Sequence, residues 1–365
     1  MKVLLASPYN EAGGIARWTG HILRYWEQFG KTDVDIILLR EPRPLFKGFN
    51  NKSPLRRFIS GVYTYLLYCI YEFRFFRKNN CDVLHVCSSA SLGLFKDLLM
   101  LSIANRFHIK TIIHFRFGRI PELFLKKNWE YRMLVKVINK ANLTITIDKK
   151  SFNTLRENGF ESITNIPNPI SPEVIRVVEN NSLIERDKNL ILFVGQCYLE
   201  KGIYELIDSC NDIKDITLRF VGSVNEATKK EMLQRAKGVN NIEILGNLPY
   251  EEVIKQMLSC SVFVLPTYTE GFPNVILESM ACGCSIVTTS VGAIPEMLDI
   301  ENGSKYGICV EPRDVQGLKQ SIEYMLYDRE YAIKCGNLAK LRVNKLYSMP
   351  SVWKELVFNW KTILQ

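Results

Sequence analysis

Short apolar runs rich in valine, isoleucine and leucine recur along this chain, each followed by a stretch of helical spacing, and the scheme is played twice. In the first half MKVLLASPY, DVDIILL, CDVLHVCSS, KTIIHFRF and NLTITI read as strands, with helices near 15–29, 54–78, 92–106 and 128–140 between them. Strand-helix alternation of this kind implies right-handed crossovers and a parallel sheet. A break follows, NIPNPISPE and then the polar run VVENNSLIERDKN. The second half repeats the scheme with NLILFVGQ, ITLRFVG, NIEILGN, CSVFVLPT, CSIVTTS and YGICVEP. The expectation is an α/β chain of two Rossmann-like, doubly wound parallel-sheet domains: residues 1–170, then 171–345. A hinge falls near 168–188, and a cleft lies between the carboxyl ends of the two sets of strands. A last helix, within 346–365, is placed to cross back onto the first domain. At 365 residues and 47 % hydrophobic, the chain has the length and the apolar content for two cores.

The most informative local stretch is Glu270–Glu278, EGFPNVILE. CSVFVLPTYT ahead of it has the length and β-branched content of a buried strand, and NVILESMACG behind it has helical spacing that stops at Gly283. Pro273 suits the first helical turn, where its missing N–H costs nothing. The unit is therefore strand, tight loop, helix, and the helix start offers free N–H groups and a partial positive charge to a phosphate or diphosphate. Glu270 sits in the loop ahead of the helix. Glu278 lies about five residues in, roughly 7.5 Å along the axis, about the distance from a diphosphate back to the ribose hydroxyls of a nucleotide. The plainer reading makes the pair a helix-start charge and a solvated surface acid.

Other features converge on the same chemistry. Gly13-Gly14-Ile15 follows the first strand and precedes a helix, so its backbone can approach a ligand. It is not G-x-G-x-x-G, which argues against a dinucleotide oxidoreductase. FVGQCYLEKG ends a strand at Gly195-Gln196 and offers Lys201 at a helix start, where the dipole gives a cation nothing. His114 closes the strand KTIIH at the carboxyl edge, a position that a purely structural histidine also fills. VGAIPEML (291–298) reads as a loop and helix start that shapes the floor of the cleft.

Taken together these segments resemble the retaining, nucleotide-sugar-dependent glycosyltransferases of the GT-B fold, in the family called GT4. The resemblance runs through GGI, IIHFRFGRIPEL, NIPNPI, FVG…KG, ILGNLPYEEV, PTYTEGFPNVILE and GCSIVTTSVGAIPE, in order. It implies that Glu270 contacts the donor sugar near its reacting carbon, Glu278 the ribose hydroxyls and Lys201 the diphosphate. By the same resemblance the amides around Phe272, Asn274 and Val275 bind sugar hydroxyls and phosphate. Gly14 lies in the loop approaching the phosphates, Gly195 and Gln196 line the donor site, and His114 stands beside the sugar. Glu270, His114 and Lys201 are thus the expected catalytic residues. Two positions depart from the family: Gln196 stands where an arginine commonly shares the diphosphate, and His114-Phe115-Arg116 replaces an H-x-H. Arg116 or Arg119 is the candidate to restore the missing charge.

The expected activity is metal-independent transfer of a sugar, with no cofactor, from a nucleotide-diphosphate sugar to a glycan or lipid-linked acceptor in surface polysaccharide assembly. Asp33-Val34-Asp35 imitates a metal-binding D-x-D but opens a strand of the first domain. The alternatives kept open are a catalytically weak homologue acting as a nucleotide-sugar-binding or scaffold subunit, and a nucleotide-sugar epimerase. The latter is disfavoured by a total of four histidines.

Charge points to an anionic partner. Residues 1–180 hold 27 Lys and Arg against 15 Asp and Glu, whereas 181–365 hold 20 against 23, so +12 and −3 make the net +9. No zinc-finger, homeodomain or RNA-binding aromatic motif appears, which favours an anionic membrane over nucleic acid. Phe58–Tyr71 is too short to span a bilayer, and Arg56, Arg57, Arg74, Arg77 and Lys78 flank it. It reads either as a crossover helix packed on the sheet or as a helix lying on anionic lipid, and two faces of one helix can serve both. With no secretory signal and scattered, reduced cysteines, a cytoplasmic protein at the inner face of the cell membrane is expected.

Overall fold

The apolar runs of the first half lack the polar–apolar alternation of a one-sided sheet, and they form strands covered on both faces. The computed structural model describes residues 1–9, 13–39, 42, 54–239, 241–303 and 305–365. β1 (Lys2–Ala6), β2 (Asp35–Leu38), β3 (Val83–Ser88), β4 (Lys110–Phe115), β5 (Leu143–Thr146) and β6 (Ile163–Asn165) make one parallel sheet in the order β2-β1-β3-β4-β5-β6. Its helices are α1 (Gly14–Tyr25), α2 (Pro54–Lys78), α3 (Gly93–Arg106), α4 (Ile120–Lys126), α5 (Trp129–Lys140) and α6 (Lys149–Glu157).

The second sheet holds β7 (Leu190–Val194), β8 (Thr217–Val221), β9 (Asn241–Gly246), β10 (Val262–Leu265), β11 (Ser285–Thr289) and β12 (Ile308–Val310). Their order is β12-β11-β10-β7-β8-β9, again all parallel. Around it lie α7 (Pro172–Asn180), α8 (Ile203–Cys210), α9 (Glu226–Arg235), α10 (Tyr250–Ser259), α11 (Asn274–Ala281), α12 (Ile294–Met297), α13 (Val315–Tyr327) and α14 (Arg329–Leu346). α15 (Met349–Thr362) closes the order of elements. The chain forms two compact units: Met1–Pro167 together with Val352–Gln365, and Asn168–Ser351.

In each sheet the strand order reverses once, between β1 and β3 in the first and between β7 and β10 in the second. Loops leave in opposite directions at such a point, and the crevice outside the strand carboxyl ends is where doubly wound sheets bind ligands. Fully buried Phe193, Phe220 and Phe263 hold the second sheet's core, each worth about 1.5–3 kcal/mol of apolar burial.

Several elements were not legible beforehand. β6 is a three-residue edge strand, half-buried throughout, and too short to carry a period. The stretch read as a hinge, 168–188, contains α7. Ser171 caps it by accepting from the Glu173 N–H at 3.2 Å, and Val174, Val177 and Val178 are buried on a face that meets α10 and α11. In α15, Trp353 and Trp360 stack edge-to-face at 5.8 Å, and a Cβ on Gly30 would stand 2.5 Å from the Trp353 ring.

α2 has two faces. Cys69, Glu72 and Phe76 are buried, whereas Ile59, Val62, Tyr63, Leu66, Ile70 and Phe73 form one exposed stripe at helical spacing. The side chain of Arg57, one of its basic flanks, lies outside the described residues. Among the described residues no helix is long and apolar enough to cross a membrane.

Candidate active site

The second sheet's switch point brings together two loops that are far apart in sequence. After β7 the chain passes Gly195 and exposed Gln196 into a turn, Leu199–Lys201, that delivers Lys201 immediately ahead of α8. After β10 it runs through Thr267 and Tyr268 to Glu270. The Tyr268 N–H and Thr267 hydroxyl both donate to the Glu200 carbonyl, at 2.8 and 3.2 Å, and stitch the loops together. Gly202 permits this approach: its φ is +70°, and a Cβ there would stand 2.0 Å from the Pro266 carbonyl oxygen. The outcome is a direct ion pair, Lys201 Nζ donating to Glu270 Oε1, with side chains only 18 % and 16 % exposed.

Glu270 is braced from a third segment. The backbone of Gly292, at φ +56°, lies so close that a Cβ would meet the Glu270 carbonyl oxygen at 2.2 Å, and the Ala293 N–H donates to Gly271 at 2.9 Å. The VGAIPEML segment, read from sequence as a loop and helix start, turns into α12 here and supports the Glu270 loop.

α11 opens from this loop with Pro273 as its N-cap, so its first turn begins one residue later than expected, and no side-chain cap covers its first N–H groups. Buried Phe272 anchors the turn edge-to-face on Tyr347 at 5.9 Å. Asn274 Oδ1 accepts from Asn168 at 3.1 Å, and Val275 is half-buried. Glu278, the fifth residue of α11, is 7 % exposed, and its Oε1 accepts from the Tyr250 hydroxyl at 2.7 Å. Arg186 fixes the other end of the helix. Its guanidinium donates to the carbonyls of Met257, Cys260, Cys282 and Gly283 at 3.3, 2.7, 2.6 and 2.8 Å, closing α10 and α11 with one cation.

The remaining candidates lie in the first unit. Gly13 caps α1 and Gly14 begins it, and among the described residues a Cβ on either would meet nothing within 4 Å. His114, the last residue but one of β4, is fully buried, its Nδ1 3.2 Å from His85 Nε2 and its Nε2 3.0 Å from Arg116 Nη1. The Trp360 indole N–H donates to His85 Nδ1 at 2.9 Å. Burial, then the Arg116 charge, pushes His85 down to about 3 and His114 well below the usual imidazole range.

Arg116 is itself lowered to about 10 by burial and lies 4.4 Å over the Trp18 ring. Arg119 is committed elsewhere: Nη1 donates to Glu130 at 3.0 Å and Nη2 to Ser91 Oγ at 2.8 Å. Of the two candidate cations, only Arg116 touches His114.

His85, Cys87 and His114 place three potential ligand atoms within 4.8 Å of one another. They do not fit a metal. A ligating histidine donates its other ring N–H to an acceptor, whereas here both outer nitrogens face N–H donors, from Trp360 and Arg116. Asp33 precedes β2 and lies 4.0 Å from Lys361, at the opposite end of that strand from the carboxyl edge.

Two family profiles cover adjoining parts of this chain, "Glycosyltransferase Family 4" over residues 12–174 and "Glycosyl transferases group 1" over 175–342. The chain belongs to the group 1 glycosyltransferases. Its relatives include the uncharacterized glycosyltransferase MJ1178 of Methanocaldococcus jannaschii, 28 % identical over 67 % of this chain and 65 % of that protein. The capsular polysaccharide biosynthesis glycosyltransferase CapM of Staphylococcus aureus is 29 % identical over 52 % of this chain and 51 % of its own. The match thus spans between half and two thirds of these relatives' lengths. Among solved structures, Anabaena HepE in complex with UDP superposes with a TM-score of 0.69 at 15 % identity, covering 99 % of this chain and 100 % of that one, which places the fold as GT-B.

Sequence reasoning singled out Lys201, Glu270 and Glu278, which the fold gathers at one switch point. It passed over Tyr250, His85 and Trp360. Tyr250 lay inside the quoted ILGNLPYEEV, but nothing local says that its hydroxyl reaches Glu278.

Proposed function

We propose that the second unit binds a nucleotide-diphosphate sugar at the β7/β10 switch point and that the first unit presents a glycan or lipid-linked acceptor. The observation that carries this reading is the arrangement about the start of α11. An ion pair, Lys201–Glu270, stands on one side of the uncapped helix terminus, and a buried acid, Glu278, stands one helical turn beyond it. Lys201 and the free N–H groups suit a diphosphate, Glu278 with Tyr250 suits ribose hydroxyls, and Glu270 faces the sugar.

In the reaction the bond from the anomeric carbon to the phosphate oxygen breaks, and its electron pair leaves on the diphosphate. The acceptor oxygen bonds to the same face of that carbon, and its proton passes to a diphosphate oxygen. The configuration is retained and no protein nucleophile or metal takes part. One preorganised donor to the departing charge is worth about 2.7–4 kcal/mol, which is the share that falls to Lys201. CapM's part in capsular polysaccharide biosynthesis and HepE's binding of UDP support surface polysaccharide assembly and a uridine nucleotide as the first choices. The exposed apolar stripe of α2 and the basic first half support an acceptor borne on an anionic membrane.

A thermal-shift screen against UDP, GDP, ADP and CMP and their common sugars tests the reading, because a ligand of the native state raises its apparent stability. One nucleotide is expected to shift the wild type and to leave Glu278→Ala unshifted. If no nucleotide shifts the wild type but one shifts Gln196→Arg, the chain is the weakened homologue that exposed Gln196 in the arginine position would make.

A further inference from the structure

Two N–H donors bracket the buried histidine pair, and they determine where its protons sit. The Trp360 indole nitrogen has no lone pair to offer, so His85 Nδ1, 2.9 Å away, must present its own. Burial keeps His85 neutral at ordinary pH, so its one proton is on Nε2, 3.2 Å from His114 Nδ1. His114 Nδ1 therefore accepts, and the single proton of its own neutral ring is on Nε2. That N–H points at Arg116 Nη1, 3.0 Å away, which is also a donor.

The other arrangements only move the conflict, setting an Nδ1–H of His85 against the Trp360 N–H, or His85 Nε2–H against His114 Nδ1–H on the inner pair at 3.2 Å, where neither nitrogen has another partner to turn to among the described residues. Trp360 is fully buried and packed on Trp353, whereas Arg116 keeps the Trp18 ring face if its contact with His114 relaxes.

We infer that Trp360, acting through His85, is a positioning residue that holds His114 as its Nε2–H tautomer and so makes His114 and Arg116 convergent donors for one oxygen acceptor of a bound substrate. That the oxygen belongs to a nucleotide sugar rests on the proposed function; the tautomer does not.

The chain has only four histidines, His21, His85, His108 and His114. Long-range proton–nitrogen spectra of the nitrogen-15-labelled full-length protein, without substrate, therefore resolve every ring, and His21→Gln and His108→Gln identify the two outside the relay. The expected result at pH 7.5 is that His85 and His114 both carry the proton on Nε2. Trp360→Phe keeps an aromatic ring, though a smaller one, and removes the N–H, so Arg116 then sets the direction and both protons move to Nδ1.

Wild-type protein with His114 protonated on Nδ1 overturns the inference. So does a folded Trp360→Phe variant that keeps the wild-type pattern, the result expected of a tryptophan that only fills space. Should that variant not fold, the wild-type spectrum decides alone. A transferase reading that failed the nucleotide screen would leave these spectra unchanged, so the two failures are distinguishable.

Discussion

At the scale of single residues, the ion pair of Lys201 with Glu270 sets a condition on any anionic ligand: it has to draw the ammonium from a carboxylate already in contact with it. The position of that carboxylate depends in turn on Gly292, which has no side chain because the Glu270 carbonyl occupies the space. Gly292→Ala combines that clash with a left-handed backbone. It is expected to cost about 1–3 kcal/mol in urea denaturation and to abolish the nucleotide-induced thermal shift. A shift of wild-type size in that variant would show that the loop tolerates displacement.

Lys201, Glu270 and Glu278 were legible because their placement is local: a strand end, a turn and one helical turn fix it. Tyr250, His85 and Trp360 were not, because their partners lie 28, 29 and 275 residues away, and no spacing rule spans a fold.

At the scale of elements, α2 was legible in its bounds and its apolar length, and the structure gives it one buried and one exposed apolar face. What its pattern concealed is Glu72. This carboxyl is fully buried, and among the described residues neither oxygen has a hydrogen-bond partner. Burial, opposed by the Lys96 charge, raises it to about 9 from an ordinary 4.5. Its proton is retained in the folded state and lost in the unfolded one between those values, so folding stability falls as pH rises from about 4.5 to 9, by up to about 1.4 kcal/mol per unit.

Glu72→Gln is expected to flatten that slope and to be the more stable protein at pH 8, as read by urea denaturation across pH. Identical slopes would mean that Glu72 ionises in the fold. His85 and His114 act in the other direction. Folded values below an unfolded 6.5 leave their contribution intact above that pH and withdraw it as pH falls. α7 and β6 escaped sequence reading for a shared reason: a short element packed on one side offers too few periodic positions, and Pro, Asn and Ser beside it read as loop.

At the scale of the molecule, the basic first half and the α2 stripe predict binding to phosphatidylglycerol vesicles at low salt but not to phosphatidylcholine vesicles. Leu66→Glu with Ile70→Glu is expected to remove the co-sedimentation; retention by the double variant would relocate the membrane contact to another surface. The two-domain plan was legible because strand and helix periods alternate along the whole chain. A last helix crossing back onto the first domain was expected, and residues 352–365 group with the first unit, although the helix's own pattern carries no mark of which core receives it.

That grouping has a consequence for how the chain comes into being. The N-terminal core is completed by Trp353, Leu356 and Trp360, which leave the ribosome only after residues 168–351 have been made. The second unit is continuous in sequence and has all its parts first, so the order in which the two cores can close runs against the order of synthesis.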